Sequence, residues 1–158
     1  MLKLDFGCGD KPPPGFIGMD TFSYPNTSIV GSILNSPFKS EVFDEIRSYH
    51  VIEHIERKYY GILWEELARI CKKGAVVTTT VPYWSHYTSI IAGHVSFHNE
   101  DIFEIEFKCS VIGKYFECVS ITFKYEDEYQ NKSEGDKYWA RKHLLNTVKE
   151  MTVVMKKK

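Results

Sequence analysis

The chain has 158 residues, a formal net charge of -1, and 43% hydrophobic and 26% charged residues. A domain of this length buries roughly two thirds of the surface its unfolded chain exposes, so one core suffices, and the balanced composition excludes a disordered or fibrous chain. Apart from the terminal Lys156-Lys157-Lys158 there is no basic run of the kind a dedicated nucleic-acid binder carries, so there is no clear nucleic-acid signal, and no apolar stretch approaches a membrane span.

The four cysteines, Cys8, Cys71, Cys109 and Cys118, form no CxxC pair, which argues against a zinc ribbon or a thioredoxin-type site. They read as free thiols in a reducing compartment, and the absence of a charged, then apolar, leader points to a cytoplasmic protein. Aromatic residues make up 15% of the chain, read first as core filling and second as lining for a ligand pocket.

Strand and helix signals alternate, the pattern of a mostly parallel sheet covered by helices in a single domain spanning 1–158. A first strand, Leu2 to Phe6, breaks at Gly7-Cys8-Gly9, and Pro12-Pro13-Pro14 then forbid a normal long helix because they lack backbone donors. A second strand runs Phe16 to Met19 and ends in Asp20; a third is Ser28 to Ile33; Val42 to Tyr49 is the fourth. From about Glu56 to Lys73, Leu63, Leu67 and Ile70 recur at helical spacing, with Lys72, Lys73 and Gly74 as the end signal. Ala75 to Val81 is β-branched almost throughout, which predicts a fifth, central strand buried on both faces and stopped by Pro82. Tyr83 to His98 is an aromatic, histidine-bearing segment, followed by a short helix capped by Asn99. Phe116 to Glu126 alternates as a strand, Asp127 to Asp136 reads as a mobile polar loop, and a helix over Tyr138 to Val148 precedes a last strand, Met151 to Met155.

Asp5-Phe6-Gly7-Cys8-Gly9 at a strand end carries the chemistry. Glycines let the backbone approach a ligand and offer amide donors. A carboxylate at the head of such a turn would repel the pyrophosphate of a GxGxxG dinucleotide site, which disfavours a nicotinamide-dependent oxidoreductase. It suits a ligand with a cationic amino group. Asp20, at the tip of the next strand, can accept hydrogen bonds from both hydroxyls of a ribose.

These stretches, with Ser36-Pro37-Phe38, Phe43-Asp44-Glu45-Ile46, His50-Val51-Ile52-Glu53-His54-Ile55 and Leu67 to Ala75, resemble the successive motifs of class I S-adenosylmethionine-dependent methyltransferases over residues 2 to 82. The resemblance implies an α/β, Rossmann-like, doubly wound seven-stranded sheet in the order 3-2-1-4-5-7-6 with the last strand antiparallel. It implies S-adenosylmethionine as cofactor, with Asp5, Gly7, Cys8 and Gly9 at its amino-acid end, Asp20 and Thr21 at the ribose, Ser32 and Ile33 at the adenine, and His50 and Val51 near the sulfonium. The pattern departs in three places: Lys11 replaces the third glycine, Ser32 stands where an acidic residue is usual, and the first strand has no preceding helices. These departures favour a second subunit as lid, hence a homodimer, or a fold that has kept cofactor binding and lost turnover to serve as a regulatory subunit. The first expectation remains methyl transfer to a small-molecule acceptor.

Methyl transfer needs alignment and, for a protic acceptor, a base near neutral pK. His50, His86 and His94 are the candidates for catalysis, and Tyr83, Trp84, His86, His94 and His98 for the acceptor side, because they follow the fifth strand at the carboxyl edge. His50 and His54, one helical turn apart around Glu53, read as packing rather than as a metal site, so no metal is expected, and Cys8 reads as a small filler.

Overall fold

The computed structural model describes residues 1–158. Seven strands form one sheet: β1 (Lys3–Phe6), β2 (Ile17–Asp20), β3 (Ile29–Val30), β4 (Phe43–Tyr49), β5 (Cys71–Pro82), β6 (Phe116–Tyr125) and β7 (Val148–Lys157), in the order β3-β2-β1-β4-β5-β7-β6. Neighbours among β1 to β5 are parallel, and β7 runs antiparallel to both β5 and β6, as expected. The order reverses at β1, flanked by β2 and β4, and the crevice beyond the carboxyl ends of such strands is where open α/β sheets bind ligands.

Between these strands lie α1 (Tyr60–Ile70), α2 (Glu100–Cys109), α3 (Val111–Tyr115), α4 (Asp127–Gln130) and α5 (Glu134–His143). Helix α1 forms because Leu63, Trp64, Leu67 and Ile70 recur on one face, all buried, while Glu65, Glu66 and Arg69 do not join the core. Complete burial of each such aliphatic side chain contributes roughly 1.5–3 kcal/mol. They meet Leu4, Phe6, Ile46, Val77, Val81, Met151, Val153 and Met155 in one core cluster.

Strand register places a different set on the opposite face. Lys3 pairs with Glu45 and Glu45 with Val76, Asp5 with Arg47 and Arg47 with Thr78, Tyr49 with Thr80, and these continue to Lys156, Val154 and Thr152 of β7. None of them belongs to the core cluster. Val76 is 36% and Tyr49 46% exposed, so β5 is not buried on both faces; it alternates, as a strand with one wet side does. Phe16, under the Lys3 ammonium and the Arg47 guanidinium, covers part of this face.

Other departures from the sequence reading have local causes. The third strand stops at Val30 because Ser32 caps a 3-10 turn, Ile33–Asn35, by accepting from the Leu34 amide. Cys71, Lys72 and Lys73 begin β5 rather than end α1: Cys71 pairs with Phe43, and Gly74, at φ +79°, sits in the irregularity between that pair and Glu45–Val76. Residues 127–136 are largely helical, with α4 opening on Asp127 and Glu128 and α5 capped by Ser133, whose Oγ accepts from the Asp136 amide. Helix α5 ends at His143, before Asn146 takes φ +53°. The expected Asn99 cap is present, its side chain accepting from Ile102 N. No helix is long and apolar enough to cross a membrane.

His98 is 1% exposed, its Nε2 2.6 Å from the Tyr60 hydroxyl, and burial pushes its pKa down to about 3. The fold therefore keeps it neutral, while the unfolded chain takes up a proton below about pH 6.5. Stability from this residue is full above that pH and falls by about 1.4 kcal/mol per pH unit beneath it. Urea unfolding at pH 7 and pH 5 is expected to show about 2 kcal/mol of loss that His98→Gln largely removes. An unchanged pH slope in the variant would contradict the assignment.

Candidate active site

The turn after β1 is shaped by its glycines. Gly7 has φ +67°, and a Cβ there would stand 2.3 Å from Val51 Cγ2. Only a bare backbone lets the turn close against the segment after β4. Asp20 binds this turn from the side: its Oδ2 accepts from Gly9 N at 2.9 Å and its Oδ1 from Phe22 N at 3.0 Å.

That cleft, about 210 Å³, is lined by Phe6, Gly7, Met19, Asp20, Thr21, Gly31, Ser32, Ile33, Leu34, Val51, His54 and Ile55. Of the residues expected at a cofactor, the structure brings Gly7, Asp20, Thr21, Ser32, Ile33 and Val51 together here. Gly9 follows two residues after Gly7 and is anchored to Asp20, and Cys8, half-buried, packs toward Gly18 and Pro12. Asp5 does not line the cleft: it is buried on the other face of the sheet, its Oδ1 accepting from Arg47 Nε at 2.9 Å. Burial raises its pKa and Arg47 acts against that rise. His54 and Ile55, not assigned to the cofactor from sequence, complete the wall.

A second cleft of about 610 Å³ adjoins it and is lined by His50, Pro82, His86, Tyr87, Thr88, Ile91, His94, Glu126, Lys149 and Glu150. His50, at φ +55°, holds both ring nitrogens against carboxylates, Nδ1 3.1 Å from Glu53 and Nε2 3.2 Å from Glu150. Burial opposes its charge, but these two carboxylates prevail and raise its pKa. Glu150 also accepts from the Tyr49 hydroxyl at 2.6 Å, and burial with that bond lifts the phenol to about 12. His86 spends its nitrogens on Thr88 Oγ1 (2.7 Å) and Glu126 (2.9 Å). Of the three histidines considered for catalysis, only His94 keeps a ring nitrogen free of hydrogen bonds, its Nδ1 lying 3.3 Å from the Ser89 carbonyl.

The remaining expected acceptor residues separate. Trp84 is half exposed and lines neither cleft. Tyr83 and His98 are core: the Tyr83 hydroxyl donates to Glu100 at 2.8 Å, and His98 meets Tyr60. The wall between the clefts is His54 of the first against His94 of the second, ring centroids 4.7 Å apart and edge to face.

Sheet order, the glycine turn and the carboxylate at the tip of β2 form one arrangement. This is the fold of the class I S-adenosylmethionine-dependent methyltransferases. The family described as "methyltransferase domain" matches residues 15–79. Solved methyltransferase structures superpose over nearly the whole chain. A SAM-dependent methyltransferase from Archaeoglobus fulgidus has a TM-score of 0.71 at 15% identity, covering 98% of this chain and 85% of that one. Geranyl diphosphate C-methyltransferase from Streptomyces coelicolor A3(2), solved with Mg2+, geranyl diphosphate and S-adenosyl-L-homocysteine, has a TM-score of 0.67 at 10% identity, covering 99% and 72%. The N-methyltransferase NodS from Bradyrhizobium japonicum WM9 has a TM-score of 0.62 at 14% identity, covering 98% and 84%. No curated protein sequence matches.

Proposed function

We propose that this protein binds S-adenosylmethionine in the first cleft and transfers its methyl group to a small-molecule acceptor held in the second. The observation that carries this reading is Asp20, fixed by two backbone amides at the mouth of a cleft whose floor is bare glycine backbone. When bound, the cofactor supplies an electrophilic methyl on a cationic sulfur. Asp20 and Thr21 would hold the ribose hydroxyls, Ile33 and Leu34 with Ser32 the adenine, and Gly7 with Val51 the region nearest the sulfur. At about 210 Å³ the cleft is below the usual range for a whole drug-sized ligand, so it fits the adenosine portion, with the amino-acid tail passing over the glycine turn. Asp5, already paired with Arg47, acts on the turn from behind rather than as a direct partner of the tail.

The second cleft presents two imidazole–carboxylate pairs to an acceptor, His50 with Glu150 and His86 with Glu126, and the single imidazole of His94 beside them. Their alignment orients an acceptor, and its proton has Glu126 or Glu150 as destination. The engagement of every ring nitrogen of His50 and His86 favours, as a second reading, a protein that binds the cofactor without turnover.

Titration calorimetry with S-adenosylhomocysteine tests the first step. Saturable heat is expected, and Asp20→Ala should weaken affinity at least tenfold, about 1.4 kcal/mol, by removing an acceptor for the ribose and for Gly9 N together. No heat at millimolar ligand overturns the proposal. Transfer of labelled methyl from S-adenosylmethionine into a small-molecule extract separates turnover from binding alone.

A further inference from the structure

Glu53 is the least explained side chain near the clefts. Its carboxylate is 2% exposed, Oε1 accepts from His50 at 3.1 Å, and Oε2 is buried with no partner. A buried carboxylate oxygen facing no donor is costly unless a cation completes it. Two imidazoles flank it: ligating atoms of Glu53, His54 and His94 all lie within 4.8 Å of one another.

Each imidazole is already oriented through its other nitrogen. His54 Nδ1 lies 2.9 Å from the Gly93 carbonyl and His94 Nδ1 3.3 Å from the Ser89 carbonyl, which leaves each Nε2 as the atom with a lone pair to give. Metal-bound histidines are typically held in this way, by a carbonyl on the second nitrogen. Sequence separates His54 from His94 by forty positions, yet the segments that carry them are tied together: Val95 N and Ser96 N both donate to the Glu53 carbonyl, at 2.8 and 3.1 Å, and Ser96 Oγ donates to the Ile52 carbonyl.

We propose that Glu53, His54 and His94 form a binding site for one divalent transition-metal ion of the zinc type. Two imidazoles and one carboxylate are borderline donors that suit such ions better than Mg2+ or Ca2+, which take oxygen ligands. Three protein ligands leave a coordination position open. His54 lines the first cleft and His94 the second, so that position lies where the two meet. Its use to hold a ligating oxygen or nitrogen of the acceptor rests on the methyl-transfer reading; the binding of the ion does not.

The test is calorimetric titration of ZnCl2 into protein stripped by dialysis against a chelator. One equivalent is expected to bind the native chain, and Glu53→Gln and His94→Ala each to weaken it at least tenfold, while His143→Ala, at an exposed site on α5, leaves it unchanged. His94 is only half-buried, so its variant keeps the test open if the core substitution at Glu53 unfolds the chain. Visible absorption of the Co2+ form, present in the native chain and lost in His94→Ala, gives a second readout. No saturable binding, or equal binding in the native chain and both ligand variants, overturns the site. S-adenosylhomocysteine titrated into the same stripped samples reports separately on the cofactor cleft.

Discussion

Gly7→Ala is expected to weaken S-adenosylhomocysteine binding by a hundredfold or more, whereas Gly9→Ala weakens it less than tenfold. Both glycines have positive φ, +67° and +55°, so both substitutions carry the backbone strain of a left-handed residue, about 1 kcal/mol. The difference lies in what the new methyl meets. At Gly7 it would overlap Val51 Cγ2 at 2.3 Å and force the segment after β4 away; at Gly9 nothing lies within 4 Å. Overpacking of a tight contact adds about 1–3 kcal/mol, and Val51 is itself a wall of the cofactor cleft, so that cost falls on the bound state as well as on the fold. Calorimetry on both variants reads the contrast. Equal affinities would mean that the turn does not form the floor of the site.

The largest loss of stability is expected at Glu100. This carboxylate, 7% exposed, accepts from the Tyr83 hydroxyl at 2.8 Å and from Arg141 Nε at 2.9 Å, and Lys142 Nζ lies 2.9 Å away. It joins the end of β5, α2 and α5 at one point. Burial works to raise its pKa, and Lys142 with Arg141 more than reverses that, so it stays ionised. Glu100→Ala strands the buried guanidinium and phenol together, a change worth about 3 kcal/mol, and should lower the melting temperature by roughly 6–12 °C. Tyr83→Phe removes one hydrogen bond to the ionised carboxylate and should cost about 1.5 kcal/mol. A melting shift for Glu100→Ala no larger than that of Tyr83→Phe would show that the ion pairs contribute nothing beyond the phenol.

Much of this was legible in the sequence because it is local. The apolar spacing of Leu63, Leu67 and Ile70, the Asn99 cap, and the glycines before a proline run each depend on a few neighbouring residues; the cap and the glycine turn form where expected, and the helix forms over the narrower span Tyr60–Ile70. Asp20 was legible for the same reason, as the residue that ends a short strand. What failed depends on pairing. The direction of the Asp5 side chain follows from strand alternation, but its partner Arg47 is set by the β1–β4 register, which forty-two positions of intervening chain conceal. His94 and His98 are one helical turn apart in number, yet one faces a cleft and the other the core, because the segment from 83 to 98 has no period from which to read a face. The approach of His54 to His94 comes only from the backbone bonds that fasten Val95 and Ser96 to Glu53. The early end of α5 and the helices in 127–136 were set by capping that polar composition disguised as a loop.

With helices packed on a single side, tolerance to substitution should alternate residue by residue along the inner strands. At Val153, fully enclosed, shortening to alanine opens a void costing about 1–3 kcal/mol, whereas its successor Val154 looks toward water and should accept lysine or threonine at almost no cost. On the watery side the penalty attaches instead to charge: an apolar replacement of Arg47 abandons an enclosed carboxylate at Asp5, however well its volume fits.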